Sequence, residues 1–407
     1  MYFRAAGIVV IGLAMISSAV SEPAREPGLA AAALTQGPKF HWFGYYDKLQ
    51  CDPGCRYVLG MEVDFEHRSP TEKDTVKIGM VDLREGNRWI ELGESRAWCW
   101  QQGCMLQWRP QSKTEILWND RDGEHFVCRI LDVKTRKMRT VPHPVYAVSP
   151  DGKTAVSADF RRINEMRPGY GYTGLSDPYR NQDAPTDSGI FRVDLQSGKC
   201  RLIISLAKVA KLTSTEDDGK HYFNHLLVGP EGSRFIFLHR IDGSRNTRML
   251  TAAMDGSDIR LIDASGKTSH FIWRDSKHIL AWTRHESLGR GFYLFEDKTG
   301  GTVETVGEGQ MTQNGHCTYL PGGRWILSDS YPMEKTRNQH VYLYDVQKRR
   351  KVAIGRFHSP PQYKGEWRCD THPRCSPDGK YVVIDSLHGG NGRQMYMIDI
   401  SRVVNRP

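Results

Sequence analysis

The chain has 407 residues, of which 39% are hydrophobic, 25% are charged and 10% are aromatic. This composition supplies a large core and excludes both a disordered chain and a protein built from many membrane spans. Lysine and arginine outnumber aspartate and glutamate by 56 to 47, so the net charge of +9 favours an anionic partner. The 39 glycines and 20 prolines provide many turns, which favours an all-β fold.

The N-terminal segment 1–21 has the pattern of a secretory signal peptide. Arg4 supplies the positive charge, an apolar stretch covers 5–19, and small residues follow it at the expected cleavage site. The stretch is shorter than the ~20 residues that span a bilayer, which disfavours an uncleaved membrane anchor. We therefore expect a secreted or periplasmic mature chain, 22–407, with no membrane span after cleavage.

Nine cysteines are consistent with an oxidising compartment, and their odd number leaves at least one of them unpaired. The spacing permits two local disulfides, Cys51 with Cys55 and Cys99 with Cys104. Spacing alone does not fix the connectivity.

A turn of the type Ser-Pro-Asp-Gly, followed by a β-rich run, recurs along the chain. Its seven copies, some of them degenerate, lie at 52–54, 109–110, 149–152, 229–232, 274–276, 320–323 and 376–379. Proline presets φ at the second position of such a turn, and glycine accepts the positive φ that ends it. Seven units of about 40–57 residues, one of them longer, predict a seven-bladed β-propeller rather than an irregular array of sandwiches.

The ring must be closed, and one blade must accommodate extra chain. We expect closure through a shared blade, formed either by residues 38–46 or by the last strand near Ile398. The third unit carries an insertion at 161–188, and long irregular loops more often form walls or lids of binding sites than filler. The mature chain is then one propeller domain.

Four histidines occupy one equivalent position in consecutive repeats. His225, His270, His316 and His372 each lie five residues before the turn of blades four to seven, and they are called the axial histidines below. That position begins the innermost strand of a blade, so the four imidazoles are expected to meet near the axis. They can bind a divalent metal, or one can act as an acid or base near neutral pH. Residues close in sequence that could add ligands are Gln313, Asn314, Cys369 and Asp370. The alternative is that they are core residues inherited by duplication of the repeat.

Other polar and cationic side chains are expected on the same face of the disc. They are Gln102 at the start of the inner strand of blade two, Tyr170 and Tyr172 in the insertion, and Asn119, Arg121, Arg162, Arg240, Arg284 and Arg368 in loops. Each of them alone could be a solvated surface residue. As a set they favour an acidic polysaccharide or oligosaccharide as the partner, whereas the scattered cations disfavour nucleic acid.

The chemistry that this pocket suits best is β-elimination of a 4-linked uronate. The reaction needs a cation beside the carboxylate, a base for the C5 proton and an acid for the leaving oxygen. A facing pair of free carboxylates, as used in glycoside hydrolysis, is not evident at the pocket positions. The sequence therefore predicts a polysaccharide lyase.

The repeats, together with the segments 269–273, 315–316 and 372–379, resemble the secreted β-propeller polysaccharide lyases, above all the oligogalacturonate lyases. The repeats extend this resemblance over most of the mature chain, but the specific motifs are confined to blades four to seven. The resemblance implies a manganese site held by His270, His316, His372 and Gln313, with His225 in proton transfer.

The propeller ulvan lyases are a second relative and imply another arrangement. By that resemblance, histidines, a tyrosine and an arginine of the earlier blades perform the elimination. Blade two offers Gln102, Asn119 and His125, and the insertion offers Tyr170 or Tyr172, with Arg162 as the candidate arginine. The axial histidines would then hold a structural zinc or calcium ion. The metal is therefore left open among manganese, zinc and calcium.

Two other classes of protein share the repeat. The Ser-Pro-Asp-Gly turn resembles that of TolB-like propellers, which can be binding scaffolds without catalysis and do not require axial histidines. Some rhamnosidase relatives are propellers that hydrolyse glycosides with a histidine. The four equivalent histidines favour an enzyme over a scaffold.

Overall fold

Seven four-stranded antiparallel sheets make up the protein. The structure is a computed structural model, and it describes residues 28–212, 219–242 and 246–405. The seven sheets are the blades of a β-propeller, so the predicted all-β, seven-bladed fold is confirmed. The predicted signal peptide, 1–21, lies outside the described residues.

The strands run from the innermost to the outermost within each blade, and one short strand, β1 (Ala31–Ala33), precedes blade one. Blade one has β2 (Phe40–Trp42), β3 (Tyr57–Val63), β4 (Val76–Asp82) and β5 (Arg88–Ser95), and blade two has β6 (Gln107–Trp108), β7 (Glu115–Asp122), β8 (His125–Asp132) and β9 (Met138–Val141). Blade three has β10 (Ala147–Val148), β11 (Thr154–Ala158), β12 (Gly189–Asp194) and β13 (Cys200–Ser205), and blade four has β14 (His221–Val228), β15 (Arg234–Ile241), β16 (Thr247–Ala253) and β17 (Arg260–Asp263). Blade five has β18 (Phe271–Trp273), β19 (His278–His285), β20 (Gly289–Glu296) and β21 (Val303–Val306); blade six has β22 (Cys317–Tyr319), β23 (Trp325–Asp329), β24 (Asn338–Asp345) and β25 (Arg350–His358); blade seven has β26 (Arg374–Cys375), β27 (Tyr381–Ser386) and β28 (Gln394–Asp399). The helices are α1 (Phe160–Met166), α2 (Leu206–Leu212), α3 (Ser401–Val404) and a 3-10 turn (Gly365–Trp367).

The N-terminal strand closes the ring. Strand β1 pairs antiparallel with β28, with Ala31 opposite Ile398, and so forms the outermost strand of blade seven. The expectation of a shared blade involving the strand at Ile398 agrees with this pairing. The segment 38–46 does not close the ring, because its strand β2 is instead the innermost strand of blade one.

The repeated turns fix where each blade changes direction. The Gly152 amide donates to Ser149 O at 2.8 Å, and the Gly379 amide donates to Ser376 O at 2.9 Å. Both glycines have positive φ, 69° and 72°, which side-chain-bearing residues adopt at a cost. Because the same turn recurs, residues at the same distance before it begin equivalent inner strands.

Aromatic side chains join neighbouring blades. The Trp42 ring of β2 lies 5.6 Å from the Trp98 ring and 5.0 Å from the Trp100 ring, and all three are buried. The Arg393 guanidinium of blade seven lies 4.6 Å above the Trp100 ring. Burial of such large rings stabilises the junction of blades seven, one and two and holds the inner strands in place.

Arg162 anchors the insertion, 161–188, and its own side chain is buried. The Arg162 guanidinium pairs with Asp177 at 2.9 Å and donates to the main-chain oxygens of His221, Tyr179, Gln182 and Asp183. All five of its N–H groups are therefore engaged, in a site where both ionic side chains are buried. No donor of Arg162 therefore remains for a substrate, and this geometry disfavours its predicted catalytic role.

All nine cysteines are free thiols in the structure, so neither Cys51 with Cys55 nor Cys99 with Cys104 forms a disulfide. No helix in the described ranges, 28–212, 219–242 and 246–405, has the length and apolar character needed to cross a bilayer.

Candidate active site at the propeller axis

His225 lies within the inner strand of blade four, whereas His270, His316 and His372 lie just before the inner strands of blades five to seven, and the four histidines cluster together. The His316 ring is 4.2 Å from both the His270 ring and the His372 ring, measured between centroids. None of the four histidines is more than 6% exposed. The spacing of the repeat thus brings three imidazoles into direct contact, and His225 joins them through a tyrosine.

That tyrosine is Tyr45, which the sequence analysis did not identify. Its ring lies 5.0 Å from the ring of His225 and 5.2 Å from that of His372. The next residue, Tyr46, lies 5.2 Å from His316, and its hydroxyl donates to Phe271 O at 2.7 Å. The two tyrosines follow β2, in a part of blade one whose sequence differs from the other repeats. That difference is the only sequence signal that could have indicated them.

The backbone is strained where the histidines enter the axis. The φ values of His225 and His372 are 52° and 38°, and Met105 at the same position of blade two has 57°. In blade four a β-bulge causes this turn, since Asn224 pairs with Leu238 and Leu227 pairs with Ile236. Left-handed backbone in residues other than glycine persists only where its surroundings hold it, and it is concentrated at functional sites.

His316 is oriented by a buried carboxylate. Its Nδ1 lies 3.0 Å from each oxygen of Asp329, which also accepts the His316 main-chain N–H at 2.7 Å and the Thr371 hydroxyl at 2.6 Å. Gly315 permits this approach, because a Cβ there would lie 1.9 Å from Asp329 O. A carboxylate accepts only, so Nδ1 carries the proton and the lone pair of Nε2 is available to a ligand.

Three of the axial groups fit a divalent metal ion. His316, Asp370 and His372 each offer one ligand atom, and these atoms all lie within 4.8 Å of one another. His372 Nε2 and Asp370 Oδ1 are buried and have no hydrogen-bond partner among the described residues. Two imidazoles and one carboxylate suit manganese or zinc, whereas calcium prefers a set of oxygen ligands. When bound there, such an ion would supply positive charge for an anionic substrate.

Two residues implied as metal ligands have other contacts. The Gln313 amide donates to Met333 Sδ at 3.0 Å, and no described contact joins it to the three candidate ligands. His270 has Nδ1 3.0 Å from Asn314 Oδ1 and Nε2 3.3 Å from the Tyr331 hydroxyl. Asp370, two residues before His372, is therefore the third candidate ligand in place of the Gln313 that the resemblance implied, and His270 adjoins the candidate ligand His316.

His225 and Tyr170 form the opposite wall of the site. The Tyr170 ring meets the His225 ring edge-on, with 5.7 Å between their centroids. Burial lowers the pKa of His225 well below the usual imidazole value, and the charges of Arg240 and Arg167 lower it further. His225 is therefore neutral at pH 7.

Two guanidinium groups act on the phenol of Tyr170. Arg368 Nη2 donates to the phenol oxygen at 2.6 Å, and Arg167 lies 4.2 Å above the ring. Burial alone would raise the pKa of Tyr170, but the charges of Arg368 and Arg167 outweigh burial, so the pKa is lowered. Tyr170 is thus an acidic phenol that can release and take up a proton.

Arg240 completes the cationic wall. Its guanidinium donates to Asn224 Oδ1 and Thr247 Oγ1, both at 2.9 Å. Burial lowers the pKa of Arg240 to about 10, and the charge of the nearby Arg167 contributes, so Arg240 remains charged at neutral pH. The predicted binding residues Arg240 and Arg368 therefore lie beside the axial histidines.

The other predicted site residues have structural roles. Tyr172 is buried and stacks on Phe160 at 4.2 Å, and its hydroxyl accepts from Asn119 at 3.0 Å. Arg121 donates to Glu72 O at 2.6 Å, and Arg284 is exposed on β19. Gln102 is buried and its side chain contacts His225, so it holds a residue of the site.

The fold and the site together define a seven-bladed β-propeller with a histidine-rich centre, and comparisons with solved structures support the propeller fold. The structure is similar to an oligogalacturonate lyase from Vibrio parahaemolyticus, with a TM-score of 0.64 and 14% identity over 91% of this chain and 94% of that one. It is also similar to an oligogalacturonate lyase in complex with manganese, with a TM-score of 0.69 and 14% identity over 94% and 96% of the two chains. A puromycin-hydrolyzing peptidase from Mycobacterium tuberculosis matches with a TM-score of 0.53 and 13% identity over 92% of this chain and 55% of its own.

At these identities the similarity shows the propeller fold. No protein-family model and no curated protein sequence matches the chain. The function must therefore be argued from the site itself.

Proposed function

We propose that the protein is a metal-dependent lyase that cleaves a uronic-acid-containing polysaccharide or oligosaccharide by β-elimination. The observation that carries this proposal is the contact of Tyr170 with His225, opposite the candidate metal ligands His316, Asp370 and His372. The manganese complex of a structurally similar oligogalacturonate lyase is consistent with a divalent ion in this site.

The three guanidinium groups give the site its preference for an acid sugar. Arg167, Arg240 and Arg368 surround the histidines, and the pKa of the Arg368 guanidinium is raised despite burial, because Asp370 and Tyr170 lie beside it. A uronate carboxylate placed here would be neutralised by these cations and by the metal. Neutralisation of the carboxylate lowers the barrier to removal of the C5 proton next to it.

The elimination needs one proton to be taken and one to be given. A base removes the proton from C5, the electrons of that bond form the C4=C5 double bond, and the C4–O bond breaks with its electron pair on the leaving oxygen. That oxygen then accepts a proton. Tyr170 is the group proposed to transfer these protons, and the His225 ring lies in contact with it in the site.

The same contacts disfavour hydrolysis by two carboxylates. Asp329 is occupied by His316 and Thr371, and Asp370 is held by Arg368 at 2.8 Å. Neither is a free partner for the acid and base roles of a glycosidase. A scaffold without a bound ion would leave the buried, unpartnered atoms of His372 and Asp370 without explanation.

A panel of uronate polysaccharides and oligosaccharides tests the proposal. The purified protein with added manganese or zinc should release a product whose unsaturated uronate absorbs in the ultraviolet, and a Tyr170→Phe variant is the matched control. New reducing ends without this absorbance would indicate hydrolysis instead. Binding without cleavage of any substrate would indicate a scaffold.

A further inference from the structure

His225 is held by a chain of hydrogen bonds that starts in blade three. The Tyr146 hydroxyl donates to Gln102 Oε1 at 2.7 Å, and Gln102 Nε2 lies 3.2 Å from His225 Nδ1. The left-handed backbone of His225 turns its own main-chain N–H toward the oxygen of Tyr146, at 2.8 Å. Tyr146 and Gln102 are at most 1% exposed, so water does not compete for these groups.

This chain of bonds fixes the orientation of the Gln102 amide. The oxygen of Tyr146 already accepts the His225 N–H, and its own hydrogen requires an acceptor. Gln102 Oε1 is that acceptor. If the amide were rotated by half a turn, its NH₂ would face Tyr146, and a buried hydroxyl hydrogen would have no acceptor among the described residues. The unrotated amide satisfies every group, which is the favoured arrangement for buried polar atoms.

We infer that Tyr146 and Gln102 hold His225 as the neutral tautomer that carries its proton on Nε2, so that His225 meets the substrate as a hydrogen-bond donor. The Gln102 NH₂ donates to Nδ1, which leaves Nδ1 as an acceptor and Nε2 as the protonated nitrogen. No residue in the described ranges hydrogen-bonds Nε2, so this N–H is available to a ligand. Tyr146 and Gln102 are positioning residues.

The role of His225 in the proposed elimination follows from this tautomer. A neutral imidazole that presents N–H stabilises negative charge on the substrate and does not remove a proton. Tyr170 then carries out both transfers: its phenolate takes the C5 proton, the C4–O bond breaks, and the phenol returns that proton to the leaving oxygen. His316, with Nδ1–H toward Asp329, has the opposite tautomer.

The tautomer can be measured without reference to activity. In deuterated protein labelled with ¹⁵N-histidine, long-range ¹H–¹⁵N spectra distinguish a protonated from an unprotonated ring nitrogen. Zinc is the added metal because it is diamagnetic, and a His225→Gln variant assigns the signals. We expect Nε2–H with unprotonated Nδ1 for His225, and Nδ1–H for His316 as the internal reference. Nδ1–H at His225, or two protonated nitrogens, would overturn the inference.

Two substitutions test the positioning residues. Gln102→Glu puts a carboxylate next to Nδ1 and should reverse the tautomer, and Tyr146→Phe should give a mixture, since the amide is then free to rotate. Tyr363→Phe, which removes a hydroxyl bound to Glu66, is the matched control and should leave the His225 spectrum unchanged. An unchanged spectrum in both test variants would overturn the inference, and the wild-type spectrum decides it if a variant does not fold.

The catalytic part of the inference rests on the proposed function and is measured separately. Gln102→Glu should lower kcat by about 10²–10³-fold with little change in KM, as expected for loss of one donor to developing charge. If the wild-type protein has no lyase activity, the proposed function fails while the tautomer measurement remains decisive for Tyr146 and Gln102.

Discussion

Arg368 donates a hydrogen bond of 2.6 Å to the phenol oxygen of Tyr170, although the two residues are 198 positions apart in the chain. The same guanidinium donates to Asp370 at 2.8 Å, so one side chain contacts both the candidate proton-transfer group and a candidate metal ligand. The insertion of blade three thereby meets the segment that joins blades six and seven. Four predictions follow from this geometry.

Tyr170→Phe should abolish most turnover and leave the fold intact. The substitution removes the phenol that the proposed mechanism uses for proton transfer, a contribution of typically about 10²–10⁴-fold. The rate of formation of unsaturated product and the free energy of unfolding should be measured together.

Tyr172→Phe is the matched control. Its hydroxyl accepts from Asn119 in the core, so its loss should cost stability of about 1 kcal/mol and leave kcat unchanged. Equal loss of turnover in both variants would show that the insertion acts only as a structural wall.

His372→Ala should remove metal binding. An ion that binds the folded state alone stabilises it by about 2.7 kcal/mol when its concentration is about 100 times Kd. We expect added manganese or zinc to raise the unfolding temperature of the wild-type protein but not that of the variant, with elemental analysis as the second readout. His358→Ala, an exposed histidine at the end of β25, should respond like the wild-type protein. A persistent shift in the His372 variant would place the ion elsewhere.

Asp329→Asn should weaken the metal site without removing a ligand. The amide retains the size of the side chain, but it loses the charge that holds the Nδ1–H of His316. Substitution of a residue that hydrogen-bonds a metal ligand commonly lowers the metal affinity by about 10–100-fold. Titration of the metal-free variant, compared with the wild-type protein, measures the change. Unaltered affinity would mean that His316 is not a ligand.

The stability of the metal-free protein should fall as the pH falls below about 6.5. Burial lowers the pKa of His225, His270 and His372 well below the usual value. Below the unfolded pKa the unfolded chain therefore takes up protons that the folded protein does not. Each such histidine contributes a slope of up to about 1.4 kcal/mol per pH unit, and its stabilisation is fully present above that pKa.

Urea unfolding at several pH values, with metal chelated, measures this slope. His225→Gln should reduce it by the contribution of one proton, and His358→Gln should leave it unchanged because that side chain is exposed. A slope that His225→Gln does not alter would show that His225 is protonated in the folded state.

Much of the fold could be predicted because its signals are local. The glycines at 152 and 379 need the same positive φ in the same turn, and each turn fixes the register of the strand before it. A constant distance of five residues before the turn therefore predicts one place in every blade. This register is why His270, His316 and His372 could be expected to meet.

The rest of the site depends on contacts between distant segments. Asp370 could not be distinguished from Gln313 by sequence, since only the folded loop turns its carboxylate toward His372. Arg162 and Arg368 are both arginines, and the sequence does not show which of them lies in the site. In the structure Arg162 donates to five nearby acceptors, whereas Arg368 donates to Tyr170.

The sequence by itself determined the propeller and the ring of histidines, because turn chemistry and repeat spacing act over a few residues. Only the tertiary structure decided which tyrosines, arginines and carboxylates share the axis. Those contacts join residues far apart in the chain, such as Arg368 with Tyr170 and Tyr45 with His372, and their energies exist only once the blades have closed around them.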